Sequence, residues 1–375
     1  MIKQYLKKIF KKISYGFFIK IYGLIENSIQ SSNEKRIKVS LVKIKKGPTY
    51  KFYRIFNGRL YTDRIQDTAA ILDNKIIEGP SFQLRKRKDT SIFNSNIRDN
   101  IVFTKGTPRR LRKIKGSVFS LLTGGAGNNN YWHWIFDVLP RFEICRKIID
   151  LNNIDYFLLP SILKKFQIET LDCLNIPSKK RISSEKFRHI QSDELIITDH
   201  PVMITGNATE DILNIPPWIS EWLKITFLKE KIDESKKDIK NIYIDRSEEK
   251  TAYLPQRQIS NESEVKEYLL KKNFTVVRLH ETNFIDQVSM FQNARCVVGL
   301  HGGGFANIVF CRPKTKIIEL KSLTAGDAIK NLAIKNDLDY TSVATEAKQI
   351  YKFTKPNQQG SIEVPIEDLN KFLMN

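Results

Sequence analysis

Residues 294–319, ARCVVGLHGGGFANIVFCRPKTKIIE, decide how this chain folds. Cys296, Val297 and Val298 form a short apolar run closed by Gly299, the pattern of a buried strand in a parallel sheet. Residues 306–311 read as a short helix that Pro313 stops, and 316–320 as the next strand. The unit is therefore strand, glycine loop, helix, strand. Gly302, Gly303 and Gly304 let the backbone approach a ligand with no side chains between, and the helix behind them offers free N–H groups. An anion is the natural occupant, and a nucleotide diphosphate the commonest one. Two other readings compete. Three glycines can be a tight turn and nothing more. A His-Gly-Gly-Gly run also builds the oxyanion hole of lipase-type hydrolases, but that use needs a downstream Gly-x-Ser-x-Gly elbow, and none follows Gly304.

Working outward, residues 241–245 read as a strand that delivers Arg246 and Ser247 at its carboxyl end, where open parallel sheets gather ligands. Arg257 follows. Asn261 and Glu264 cap a helix over 265–272, and a strand over 274–278 and a helix over 284–293 lead into the glycine loop. Residues 241–319 fit a Rossmann-like half. Upstream, strands are expected at 155–160, 182–190 and 194–197 with a helix over 164–174 between them, an α/β alternation. Residues 37–119 carry short strand-like runs punctuated by Asn57-Gly58 and Gly79-Pro80. A helix over 219–228 and a charged stretch, 229–240, link the two regions.

A small, polar loop at residues 124–130 precedes a helical segment rich in aromatics, Tyr131-Trp-His133-Trp-Ile-Phe-Asp137-Val-Leu-Pro-Arg141. His133 and Asp137 stand four apart and share one helix face. A base and an orienting carboxylate can be arranged that way. A histidine between two tryptophans is as often a satisfied core residue.

The chain has 375 residues and 41% hydrophobic content, enough for two cored domains. Its four cysteines, at 145, 173, 296 and 311, show no CxxC spacing and read as reduced core residues of a cytosolic protein, with no zinc site implied. The net charge of +21 favours an anionic partner, whether membrane, nucleic acid or phosphorylated substrate. The basic clusters at 85–88 and 109–115 lack the interleaved aromatics of a single-strand-binding platform, so a solvated face explains most of them. Residues 1–30 alternate lysines with apolar residues at helical spacing, as in a basic helix lying on an anionic membrane or one packed on its own domain. The apolar run there is too short to span a bilayer and has no signal-peptide cleavage site.

Taken together, strand-Arg246-Ser, Arg257, Asn261-Glu262, Gln287, Gly-x-His301-Gly-Gly-Gly-x-x-Asn307, Pro313 and a strand ending in Glu319, preceded by Tyr131-x-His133-Trp-x-x-Asp137-x-x-Pro-Arg141, resemble glycosyltransferase family 61. The resemblance covers roughly residues 50–320. One departure is Gly-Gly-Gly after the histidine where the family usually has Gly-Ala-Gly. The resemblance implies an α/β, GT-B architecture: two Rossmann-like domains facing across a cleft, here with an N-terminal amphipathic helix. The expected boundaries are 1–30 for that helix, 31–230 for an acceptor domain, 241–355 for a nucleotide-sugar domain, and 356–375 for a segment packing back on the first domain.

It also implies inverting transfer from a nucleotide-sugar, a UDP-sugar favoured, with neither cofactor nor metal. Donor binding then falls to Arg246, Arg257, His301, Gly302, Gly303, Gly304, Asn307 and Glu319, with Glu319 placed to accept from ribose hydroxyls. Either Asp137 or His133 is the base. His301 would touch phosphate or sugar, or only pin the loop. An Asp337-Leu-Asp339 triplet resembles a metal-binding Asp-x-Asp but reads better as turn chemistry. The expected acceptor is a surface polysaccharide or lipid-linked glycan, with the protein in the cytoplasm at the inner membrane face. A catalytically silent glycan- or nucleotide-binding protein and a basic nucleic-acid-binding protein are the rival readings.

Overall fold

The computed structural model describes residues 2–63, 67–83, 96–122, 129–205, 207–228, 238–246, 257–348 and 360–374. The basic cluster 85–88, most of the loop 124–130, Ser247 and most of the charged link 229–240 lie outside the described residues. The chain divides into two units, Met1–Ile212 and Leu213–Asn375.

The second unit has the parallel sheet that the glycine-loop stretch predicts. Its five strands lie in the order Thr275–Val277, Asn241–Ile244, Cys296–Leu300, Lys316–Ser322, Asp339–Thr345, all parallel. In chain order this is 2-1-3-4-5, so the winding reverses between Asn241–Ile244 and Cys296–Leu300. Open α/β sheets bind ligands beyond the carboxyl ends of the strands at that reversal. Arg246 leaves one of these two strands there, and His301 the other.

The sheet is covered by Val265, Leu269, Val298, Ile318, Leu320 and Leu369, all buried together. Leu369 belongs to the last helix, Ile366–Met374, whose Phe372 carbonyl accepts from Lys316 Nζ at 3.1 Å. The C-terminal helix thus packs on its own unit, where its apolar face helps complete the core. The helix Pro217–Phe227, expected in the first domain, also belongs to the second unit, where Phe227 meets Phe284 and Phe310 edge to face.

The first unit is built on an 11-stranded mixed sheet. Strand His189–Thr198 is its hub, antiparallel to Thr49–Phe56 and Arg59–Thr62 and parallel to Arg112–Ser120. From there Tyr156–Leu159 and Arg181–Ser183 extend the parallel half. Only that half has the Rossmann-like character expected of the whole domain; residues 37–83 are an antiparallel meander, as the closely spaced turns at Asn57-Gly58 and Asp73-Asn74 dictate. A helix, Ile2–Tyr22, opens the chain. Among the described residues no helix is long and apolar enough to cross a membrane.

Candidate functional site

Two groups of residues carry chemistry, one in each unit. The first grows from the aromatic segment. Asn130 starts it, its side chain accepting from Trp132 N at 2.9 Å. The chain then makes a helical turn, Tyr131–His133, a π-helical turn, Trp134–Val138, and an α-helix, Pro140–Arg146. Pro140 explains the irregularity. It brings no N–H and its ring crowds the preceding turn, so the chain widens and Leu139 N reaches back to Trp134 O at 3.0 Å.

His133 and Asp137 nevertheless meet, with Nδ1 and Oδ2 2.6 Å apart. Asp137 is buried, its side chain 4% exposed, while that of His133 keeps 21%. The imidazole is therefore the more accessible partner of the pair. Burial opposes the proton on His133, but the charge and hydrogen bond of Asp137 outweigh it and raise the pKa above its usual 6.5. Burial likewise pushes Asp137 up, yet His133, His200 and Arg141 together hold it below the normal carboxylate range. A neutral His133 donates from Nδ1 to Asp137 and presents the lone pair of Nε2, the arrangement of an oriented general base.

Sequence reading missed His200. Its Nδ1 accepts from Val202 N at 3.1 Å and Met203 N at 3.0 Å, so its proton resides on Nε2, which lies 3.8 Å from Asp137 Oδ2. Burial lowers its pKa to about 3, and Phe82 stacks on the ring. It is a neutral dipole aimed at the carboxylate. Arg141 spans the same floor, donating from Nε to Asp137 O at 3.1 Å and from Nη1 to Thr198 O at 3.1 Å. His200 lies just past the carboxyl end of a parallel strand, and that position is the one signal that could have found it.

The second group sits where the winding of the second sheet reverses. Arg246 Nη1 donates to His301 O at 3.0 Å and Arg257 Nη1 donates to the same oxygen at 2.9 Å. Two guanidiniums converge on one carbonyl. Burial, then the charge of Arg246, lower the Arg257 pKa to about 10, and the buried Arg257 Nε has no hydrogen-bond partner among the described residues. Gly302 is what admits Arg246: a Cβ there would stand 2.3 Å from Nη1. Gly304 is needed for packing, since a Cβ would lie 2.8 Å from Leu279 Cδ1. Gly303 begins a 3-10 helix, Gly303–Phe310, rather than the α-helical turn expected from residue 306.

Three residues singled out in the sequence have partners within the fold. Glu319 is fully buried, with His301 Nδ1 on one oxygen and Tyr340 OH on the other at 2.5 Å. In this arrangement it orients His301. Asn307, also buried, donates from Nδ2 to Gln287 Oε1 at 2.8 Å, and Gln287 in turn donates to the carbonyls of Leu279 and Thr282. Asn307 thus ties the 3-10 helix to the helix Phe284–Asn293 rather than touching a ligand. Asp337 occupies a left-handed turn at φ 56° and pairs with Lys314 Nζ at 2.5 Å, the turn chemistry expected of it. None of the four cysteines is in a disulfide, and three of them are buried.

An α/β chain with an oriented imidazole in one unit and convergent guanidiniums at a sheet's reversal point in the other is equipped as a group-transfer enzyme. The sequence model of the family described as Glycosyltransferase 61 matches residues 131–318, from the first residue of the aromatic segment almost to Glu319. The chain belongs to glycosyltransferase family 61 and is a glycosyltransferase. No curated protein sequence matches it significantly.

Proposed function

We propose that this enzyme moves a hexosyl or pentosyl group, with inversion, from a nucleotide-sugar, a UDP-sugar favoured, to a hydroxyl of a surface polysaccharide or lipid-linked glycan, as in capsular polysaccharide biosynthesis. The observation that carries the donor half is the convergence of Arg246 and Arg257 on His301 O, beside a buried Arg257 Nε that has no hydrogen-bond partner among the described residues. Departure of a nucleoside diphosphate loads negative charge onto the leaving group, and fixed cations and N–H dipoles can stabilise it without a metal. His301, held by Glu319, points its remaining ring nitrogen away from that carboxylate and serves the same anion.

In the acceptor half, His133 Nε2 takes the proton as the acceptor oxygen attacks the anomeric carbon. The glycosidic electrons leave with the diphosphate, and the imidazolium is held by Asp137. The choice left open by the sequence thus falls to His133 as base and Asp137 as its orienter. The GT-B pairing of the two units and a site of action on the cytoplasmic face of the cell's membrane belong to the same proposal.

Calorimetric titration of UDP, GDP and CMP in the presence of EDTA, repeated on Arg246→Ala, tests it. Binding of one nucleotide, weakened about 10- to 150-fold in the variant by loss of a charge-assisted hydrogen bond of roughly 1.5–3 kcal/mol, is expected. A well-folded protein that binds none of them refutes the donor site and favours a silent binding protein. Steeply salt-dependent binding to RNA or DNA in its place favours the nucleic-acid reading.

A further inference from the structure

The helix Ile2–Tyr22 has two apolar faces, and the fold uses one. Tyr15, Phe18, Ile19 and Tyr22 lie on the used face. Tyr22 OH accepts from Leu111 N at 2.9 Å, its ring meets His189 edge to face at 5.0 Å, and Phe18 stacks on it. Lys105 Nζ lies 5.8 Å over the Tyr15 ring. Ile19 sits against Gly106, where a Cβ would approach its Cγ1 to 3.1 Å. The helix is therefore seated on the first unit by specific contacts.

At 100° per residue, Leu6, Ile9, Phe10, Ile13, Phe17 and Ile21 fall on the opposite side. They are exposed, with Phe10 at 73%, Ile13 at 67% and Phe17 at 59%. A helix that needed only to dock would carry polar residues there. Charge identifies the occupant: residues 1–25 hold six lysines and no acidic residue, within a chain of net charge +21. A second copy of so basic a surface is repelled, whereas an anionic bilayer is attracted and has an apolar layer to receive the stripe.

We infer that the outer face of this helix binds anionic lipid directly, with Phe10, Ile13 and Phe17 inserted at the headgroup boundary and Lys20, which shares that face, reaching the headgroups. Because the inner face is seated on the first unit, the bilayer holds the folded unit itself in a fixed attitude, not a loose tether. This holds whether or not the donor reading above is correct.

The test is co-sedimentation of the full chain with vesicles of phosphatidylcholine alone and with one-third phosphatidylglycerol, at low and high salt. Phe10→Glu/Phe17→Glu is compared alongside, both positions being exposed and outside the seat. Wild type is expected to bind the anionic vesicles, weakly at high salt, and the variant to lose at least tenfold, with unchanged circular dichroism and nucleotide titration. Failure of wild type to bind, or equal binding by the variant, overturns the inference. So does a wild-type dimer by light scattering that becomes monomeric in the variant, since a second copy would then cover the stripe.

Discussion

His189 offers the sharpest test of the packing beneath the N-terminal helix. Its ring is 1% exposed, wedged between Tyr22 and Tyr61, with Nδ1 donating to Arg109 O at 2.9 Å. Burial, despite that hydrogen bond, and the nearby Arg59 charge lower its pKa from 6.5 to about 4. The folded state thus refuses a proton that the unfolded chain accepts, so this contribution to stability is complete above pH 6.5 and is lost as pH falls toward 4. Between pH 8 and pH 5 the loss is RT ln[(1 + 10^1.5)/(1 + 10^−1)], about 2 kcal/mol, rising to about 3 kcal/mol at the acid limit. His200 acts in the same direction, and His133, with its raised pKa, in the opposite one. Both cancel when wild type is compared with His189→Asn, whose amide keeps a donor for Arg109 O. The variant is expected to be less stable at pH 8, having lost two ring contacts, yet its deficit should shrink by about 2 kcal/mol at pH 5 in urea unfolding. Parallel stability curves for the two proteins across that range would refute a buried neutral imidazole here.

The remaining predictions concern the two sites. Asp137→Asn should leave nucleotide affinity unchanged and lower the transfer rate on the order of a thousandfold, because the amide no longer stabilises the His133 imidazolium; the acid limb of the wild-type rate profile should lie above pH 6.5, since His133 must be neutral to act and its pKa is raised. A wild-type limb below pH 6.5 would exclude it as the base. Gly302→Ala should weaken nucleotide binding as much as Arg246→Ala does, since the added methyl displaces Arg246 Nη1; titration of both variants decides it, and full affinity in the alanine variant would show that the guanidinium position does not matter.

The glycine-loop stretch made the second unit legible because local rules fix it: apolar runs of strand length, glycines at a junction and Pro313 as a stop. The order of its strands placed Arg246 and His301 together, as chain position alone suggested. The burial of Glu319 and Asn307 was not legible in the sequence, for a physical reason. A parallel strand is covered on both faces, so alternation does not say which way Glu319 looks, and Asn307 lies in a 3-10 helix whose buried side follows no α-helical period. The first unit was less legible. Its hub strand, His189–Thr198, pairs with segments more than 70 residues upstream, and no local pattern encodes such register. His200 escaped for the same cause: its partners, Asp137 and Phe82, are distant in sequence.

The enzyme holds two imidazole–carboxylate pairs of one chemical kind, and their surroundings give them different work. In both, Nδ1 faces a buried carboxylate and Nε2 is left over. Around His133 the further groups among the described residues include a neutral imidazole and Arg141, which donates to the backbone carbonyls of Asp137 and Thr198. Around His301 two guanidiniums bind its own carbonyl, and Glu319 is anchored a second time by Tyr340. A base needs a carboxylate that stabilises the proton it collects, and the first pair supplies this with little else in play. An anion site needs positive potential and rigid donors, and the second pair is built into such a field. Under the proposed function the same dyad serves as proton acceptor in one unit and as part of a charge clamp in the other, and the arginines make the difference.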